Sequence, residues 1–191
     1  VYTFAADDRG LYIQRMSLLT DTLIELDDTA SICVLDGIRT FWASEKEYTL
    51  RGIVYKRGIL LWGPAGSGKT ALILQLSQEL VRRGGIVIWC NSPERTAEGL
   101  SVLRRIEPLR PLIVIFEDIE ELIRNYGEHK ILALLDGELQ VGNVVNIASS
   151  NFPELLGARI VNRPSRFDER ILIGMPSGKA RLQYLKWITR K

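Results

Sequence analysis

Histidine occurs once (His129) and cysteine only twice (Cys33 and Cys90) in 191 residues. There is no CxxC pair and no His/Cys ligand spacing, which argues against a zinc site. Both cysteines lie among apolar neighbours, a setting that predicts buried free thiols in a reducing compartment. No apolar run reaches the roughly 18 residues needed to span a bilayer, and no signal peptide opens the chain. Charge of one sign is not in excess: the formal net charge is +2, too small to point to nucleic acid or an anionic membrane. Repeats, low-complexity tracts and Pro/Gly/Ser-rich linkers are missing as well. What remains has the length and apolar content of one globular domain with a real core. The chain starts at Val1 and stops inside a helical pattern, which reads as a fragment of a longer protein.

From residue 59 onward, short apolar runs alternate with longer amphipathic stretches. The runs at 59–62, 86–90, 112–116, 144–148 and 171–173 are mostly Ile, Val and Leu without strict polar alternation. Strands buried on both faces have this composition, and the stretches between them are long enough for crossover helices. The expected fold is a doubly wound α/β sandwich with a five-stranded parallel sheet. Helix punctuation agrees. Arg82-Arg83 followed by Gly84-Gly85 marks a C-terminus, and Ser92-Pro93-Glu94 marks an N-terminus. Ser177 would cap a last helix with Leu182, Leu185 and Ile188 on its apolar face. Near the start, 11–18 and 22–26 read as strands and 37–48 as a helix leading into the core. The four tryptophans (Trp42, Trp62, Trp89 and Trp187) read as packing residues.

The most informative segment is Gly63-Pro64-Ala65-Gly66-Ser67-Gly68-Lys69-Thr70, followed by Ala71. It fits GxxxxGK[ST] between a strand and a helix, the context this motif requires. A backbone wrapping closely around phosphates favours glycine, its N–H groups form an anion nest, and the helix N-terminus adds positive potential. Lys69 supplies a mobile cation for the β- and γ-phosphates, and the Thr70 hydroxyl a ligand for Mg²⁺. Four fixed positions would match by chance in on the order of 1% of chains this long. The run at 112–116 leads into Glu117-Asp118, carboxylates at the carboxyl edge of the sheet, where doubly wound folds bind ligands. Beside a bound nucleotide, one acid holds Mg²⁺ and the other orients and deprotonates water. An alternative reading is a helix N-cap with exposed acids.

The order of motifs resembles the AAA+ ATPases, and the AAA clade within them. After the phosphate loop and the acidic strand end come Leu134-Leu135-Asp136-Gly137, similar to that family's LLDG. Ser149-Ser150-Asn151-Phe152-Pro153-Glu154 is similar to its sensor-1 segment, and Asn162-Arg163-Pro164-Ser165-Arg166-Phe167-Asp168 to its R-P-G-R-F-D. The resemblance implies an ATPase core over 32–176 with ATP and Mg²⁺ as ligands. Residues 1–31 would be the tail of a preceding β-containing region, and 177–191 the start of a helical lid that is largely absent. It assigns Asn151 to holding the attacking water, and Arg163 and Arg166 to arginine fingers acting on a neighbour's ATP. Asp36-Gly37 matches where the family's backbone meets adenine. By position Glu117 takes the metal role and Asp118 the base role.

The stretch 36–58 and the Glu-Asp order further resemble the AAA subgroup that helps mature the mitochondrial cytochrome bc complex, and its bacterial or phage relatives. The partners implied are ATP/ADP, a homo-oligomeric ring (hexamer or heptamer) and a protein client. The compartment implied is the cytoplasm, or the mitochondrial inner membrane through an anchor outside this chain. The 90–112 stretch lacks the aromatic-hydrophobic-Gly loop that grips polypeptide in a ring pore, so threading is not expected. Without a lid, the fragment is expected to turn ATP over weakly. Arg104, Arg105 and Arg110 open the alternative of a nucleic-acid-associated motor or loader, against which the near-balanced charge weighs.

Overall fold

A computed structural model describes residues 1–16, 24, 29–136, 139, 141–163 and 165–189. The strand expected at 22–26, Gly137 and Pro164 include or are positions outside the described residues. A hairpin, β1 (Tyr2–Asp7) and β2 (Gly10–Arg15), precedes helices α1 (Thr29–Ala43) and α2 (Glu45–Arg51). Next come β3 (Lys56–Trp62), α3 (Lys69–Arg82), β4 (Ile86–Trp89), α4 (Pro93–Ile106), β5 (Leu112–Phe116), α5 (Ile119–Tyr126) and α6 (Glu128–Asp136). The chain continues through β6 (Val144–Ser150), a short α7 (Ala158–Val161), β7 (Glu169–Leu172) and α8 (Gly178–Ile188).

The sheet order is β2-β1-β4-β5-β6-β3-β7. All pairings are parallel except β1 with β2. Side chains of a strand point alternately to opposite faces, and the apolar runs divide accordingly. Leu60, Ile88, Val114, Phe116 and Ala148 pack with Leu100, Ile119, Ile131 and Leu135 of α4, α5 and α6. Ile59, Leu61, Val87, Ile113, Ile115 and Ile147 pack with Ile38 and Phe41 of α1 and Leu72, Ile73 and Leu76 of α3. Two apolar layers explain why these strands read as continuous hydrophobic runs, and they make the fold the α/β three-layer sandwich expected of a P-loop protein.

The sheet has seven strands rather than five. The additional pair is the hairpin, which joins the core sheet through the pairing of β1 with β4. Tyr2 pairs with Ile88, Thr3 Oγ1 donates to Trp89 O at 2.9 Å, and Phe4 lies over Gly99, where a Cβ would meet its ring at 2.3 Å. A break at residue 31 would fall inside α1. The helix expected over 37–48 is two helices that meet at Ser44, whose Oγ turns back to Thr40 O at 2.8 Å. Helix α3 stops where Gly84 turns to φ +81 and Gly85 N bonds Leu80 O, the geometry the Gly-Gly pair predicts. Ser177 caps α8 through Ala180 N, whereas the Ser92 hydroxyl makes no such bond for α4. Cys90 is buried but Cys33 is exposed on α1, so only one thiol is where its apolar neighbours predicted. Among the described residues, no helix is long and apolar enough to cross a membrane.

Candidate nucleotide site

Strand order sets the site. β6 lies between β5 and β3, with Trp62 opposite Ser150 and Phe116 opposite Ala148. The carboxyl ends of these neighbours therefore deliver the 63–70 loop, Asn151 and the Glu117-Asp118 pair to one edge. There the loop encloses a cleft of about 330 Å³, lined by residues 65–71 with Asp118, Ser149 and Asn151; another cleft, of about 700 Å³, lies at the opposite edge. The larger cleft sits beside the amino end of β3, lined by Lys56, Asp136 and Arg163 among others.

The loop's backbone conformation also favours glycine. A Cβ at Gly66 or Gly68 would meet nothing within 4 Å, but their φ angles are +78° and +98°. This left-handed backbone disfavours other residues there. Lys69 Nζ donates to Gly63 O at 2.8 Å, Pro64 O at 3.0 Å and Asn151 Oδ1 at 2.8 Å. These account for the three hydrogens of the ammonium. Burial pulls the Lys69 pKa down, opposed by Asp118 and Glu120.

Asn151 links the loop to the acids. Its Nδ2 donates to Asp118 Oδ1 at 3.0 Å while its Oδ1 holds Lys69. Asp118 turns the chain from β5 into α5 at φ +46°, an uncommon conformation that aspartate tolerates better than most residues. Its N–H donates to Ser149 Oγ at 3.1 Å. Burial, then the charges of Glu120 and Glu121, raise the Asp118 pKa against the pull of Lys69. A carboxylate so placed is a better proton acceptor than an ordinary aspartate. Thr70 Oγ1 donates to Glu117 Oε1 at 2.5 Å, which brings the two expected metal-binding groups together.

These residues fit a nucleoside polyphosphate with a divalent cation. Ser67 Oγ is buried in the loop with no hydrogen-bond partner among the described residues. Lys69 is held by carbonyl and amide oxygens, weaker acceptors than the charged oxygens of a phosphate. Thr70 and Glu117 offer the hard oxygen donors that Mg²⁺ prefers.

The other expected site residues divide. Asp36 and Gly37 lie inside α1; Asp36 O accepts from Thr40 Oγ1 and Gly37 O from Arg57 Nη1. They are not among the residues that line the phosphate cleft. The two arginines treated alike also part company. The Arg163 side chain is 65% exposed and 3.7 Å from Asp136. Arg166 is 6% exposed, donates Nε to Asp136 Oδ2 at 2.9 Å and bonds Arg159 O. A side chain committed to this internal pair would have to leave it to reach a neighbour's nucleotide. Of the basic cluster, Arg104 donates to the carbonyls of Glu107, Arg110 and Asn143, and Arg110 to Gly84 O. Two of its three guanidiniums thus fasten loops.

Three features escaped sequence reasoning. Asp136 anchors the 163–166 loop through Arg166 and Ser165. Asp168 Oδ2 accepts from Gly58 N at 3.0 Å, which ties the same loop to β3. Glu120 turns inward and accepts from Asn151 N at 3.0 Å. The acidic residue in LLDG and the terminal Asp of RFD were visible signals; nothing in the spacing distinguished Glu120 from Glu121.

A glycine loop joining strand to helix, with a lysine, a threonine and strand-end acids around one cleft, defines a P-loop nucleotide-binding domain. The chain belongs to the ATPase family associated with various cellular activities (AAA), whose family model matches residues 59–175. It is similar to ATPase family gene 2 protein homolog A of Homo sapiens, at 33% identity over 161 residues, 73% of this chain and 18% of that protein. It is also similar to ATPase family AAA domain-containing protein 2 of Mus musculus, at 28% identity over 219 residues, 95% of this chain and 21% of that protein. Protein SAV of Sulfolobus acidocaldarius is 29% identical over 161 residues, 75% of this chain and 20% of its own length. The chain thus spans about a fifth of the length of these relatives.

Proposed function

We propose that this domain hydrolyses ATP, with Mg²⁺, as one subunit of a ring that remodels or moves a protein client. The observation that carries the hydrolytic reading is the hydrogen-bonded path Lys69–Asn151–Asp118, beside the Thr70–Glu117 pair. Lys69 and the loop amides would grip the phosphates. Thr70 and Glu117 would hold Mg²⁺, which neutralises charge on the phosphate oxygens when bound. Asn151 would orient a water, and Asp118 would accept its proton as the water oxygen bonds the γ-phosphorus and the bond to the ADP oxygen breaks.

Ring assembly rests on Arg163. It is exposed and stands away from the residues of its own phosphate cleft, as a group serving a neighbour's ATP would be. There its guanidinium would stabilise charge developing on the transferred phosphoryl group. The stretch 36–58 and the Glu-Asp order support membership of the cytochrome bc complex maturation subgroup, in which the client would be a protein.

Steady-state phosphate release by the intact protein tests hydrolysis, and subunit mixing tests the ring. Arg163→Ala subunits keep a whole phosphate site and Lys69→Ala subunits keep a whole Arg163. Each variant alone should be inactive, and a mixture should regain turnover at the interfaces where intact halves meet. A mixture as inactive as its parts would refute action in trans.

A further inference from the structure

Glu120 has no part in the proposed chemistry, yet it is one of the few buried charged residues, at 7% exposure. Its place in the first turn of α5 is one where an acid favours the helix dipole. Glu121 occupies the same turn and is exposed, so it serves the dipole without burial. Burying a carboxylate is costly unless it is bonded or paired, and the bond Glu120 makes is specific. Its Oε1 accepts from the backbone N–H of Asn151, 31 residues away and one step beyond the end of β6. Its Oε2 is also buried and has no hydrogen-bond partner among the described residues. Its charge acts on both Asp118 and Lys69.

The geometry defines a closed loop. From Asp118 the chain runs two residues to Glu120, whose side chain reaches Asn151 N, and the Asn151 side chain returns to Asp118 Oδ1. A charge-assisted bond from a carboxylate to a backbone N–H is among the stronger hydrogen bonds available. Here it fixes the main chain of the residue whose side chain bridges the phosphate-loop lysine and the acid. Without it, Asn151 would depend on its side-chain bonds alone, and those must rearrange when Lys69 turns to a phosphate.

We propose that Glu120 is a positioning residue: it clamps the Asn151 backbone to the start of α5, so that the Asn151 amide stays aligned with Asp118 when Lys69 turns to a bound nucleotide. The inference rests on the hydrolytic reading above. If the unmodified intact protein releases no phosphate from ATP, it is that reading which fails. If it does, variants at Glu120 decide this one.

Glu120→Ala is expected to lower kcat about tenfold or more while ATP affinity stays within about threefold. Glu120→Gln keeps an acceptor for Asn151 N–H and should recover most of the lost turnover. Amide hydrogen exchange at Asn151 should be faster in Glu120→Ala and near normal in Glu120→Gln, a readout independent of activity. Added to Asn151→Ala, Glu120→Ala should cause little further loss, because residues acting as a unit are not additive. If Glu120→Ala does not fold, Glu120→Asp, a methylene too short to reach Asn151, carries the same expectation. Unchanged kcat, equal losses in kcat and affinity, no rescue by glutamine, or losses that multiply in the double variant would overturn the proposal.

Discussion

Arg166→Ala and Arg163→Ala, two variants a sequence motif would treat alike, should behave differently. Arg166 is 6% exposed and Asp136 11% exposed, with Nε and Oδ2 2.9 Å apart. Truncating Arg166 leaves a largely buried carboxylate, still bonded to Ser165, without its main partner; breaking a buried pair costs about 3–5 kcal/mol. For a domain of this size about 2–4 °C of Tm accompanies each kcal/mol, so Tm should fall by roughly 6–20 °C. Arg163 is 65% exposed and 3.7 Å from the same carboxylate. In high dielectric such a contact contributes about 0–1 kcal/mol, and Arg163→Ala should change Tm by no more than a few degrees. The assay is thermal and denaturant unfolding of the two variants side by side, followed by phosphate release. Arg163→Ala should be stable and inactive; Arg166→Ala should be inactive because it is destabilised, and more active on cooling if any native fraction returns. Equal Tm values, or a stable Arg166→Ala, would refute the division of roles.

Gly58→Ala should be destabilised toward the upper end of about 1–3 kcal/mol, because a Cβ there would stand 1.7 Å from Arg166 O, a backbone atom that cannot step aside; denaturant unfolding measures it. Burial would raise the Asp136 pKa, but its hydrogen bonds to Arg166 and Ser165 outweigh burial and hold it below the usual value. A depressed native pKa contributes stability that is present above the unfolded-state value, about 4, and is lost as pH falls through the native value. The stability gap between wild type and Asp136→Asn should therefore be full at neutral pH and shrink below about pH 4, as acid titration of unfolding free energy would show. With a thiol reagent at neutral pH, Cys33 should react readily and Cys90 hardly at all until the domain unfolds, since burial pushes the Cys90 thiol up to about 12; timed mass spectrometry of the labelled chain reads both.

Features that depend on local pattern were legible in the chain. Runs such as 112–116 are apolar throughout because two layers cover them, and that doubled burial is visible without a structure. The phosphate loop was legible because its φ angles and its cation demand particular residues at fixed spacing. The β1–β2 hairpin was less so. Its outer strand is largely exposed, so its pattern lacks the signature of a buried strand, and its attachment depends on the free edge of β4 and on space over Gly99. Arg163 and Arg166 could not be separated by spacing, because what divides them is a carboxylate about 30 residues away. Glu120 and Glu121 are adjacent acids in one helical turn, and only the fold shows which of them meets β6. Asp36 and Gly37 lie within α1, and spacing alone did not show that one helix carries them both.

Everything proposed for this domain depends on nucleotide phosphates being held where Lys69 stands, among Gly63 O, Pro64 O and Asn151 Oδ1. The most direct measurement is equilibrium binding of ATP with Mg²⁺ to wild type and to Lys69→Ala, with Tm confirming that both are folded. Affinity should drop at least about tenfold in the variant, the loss of one charge-assisted contact to phosphate. A folded Lys69→Ala protein that binds ATP as tightly as wild type would contradict the account.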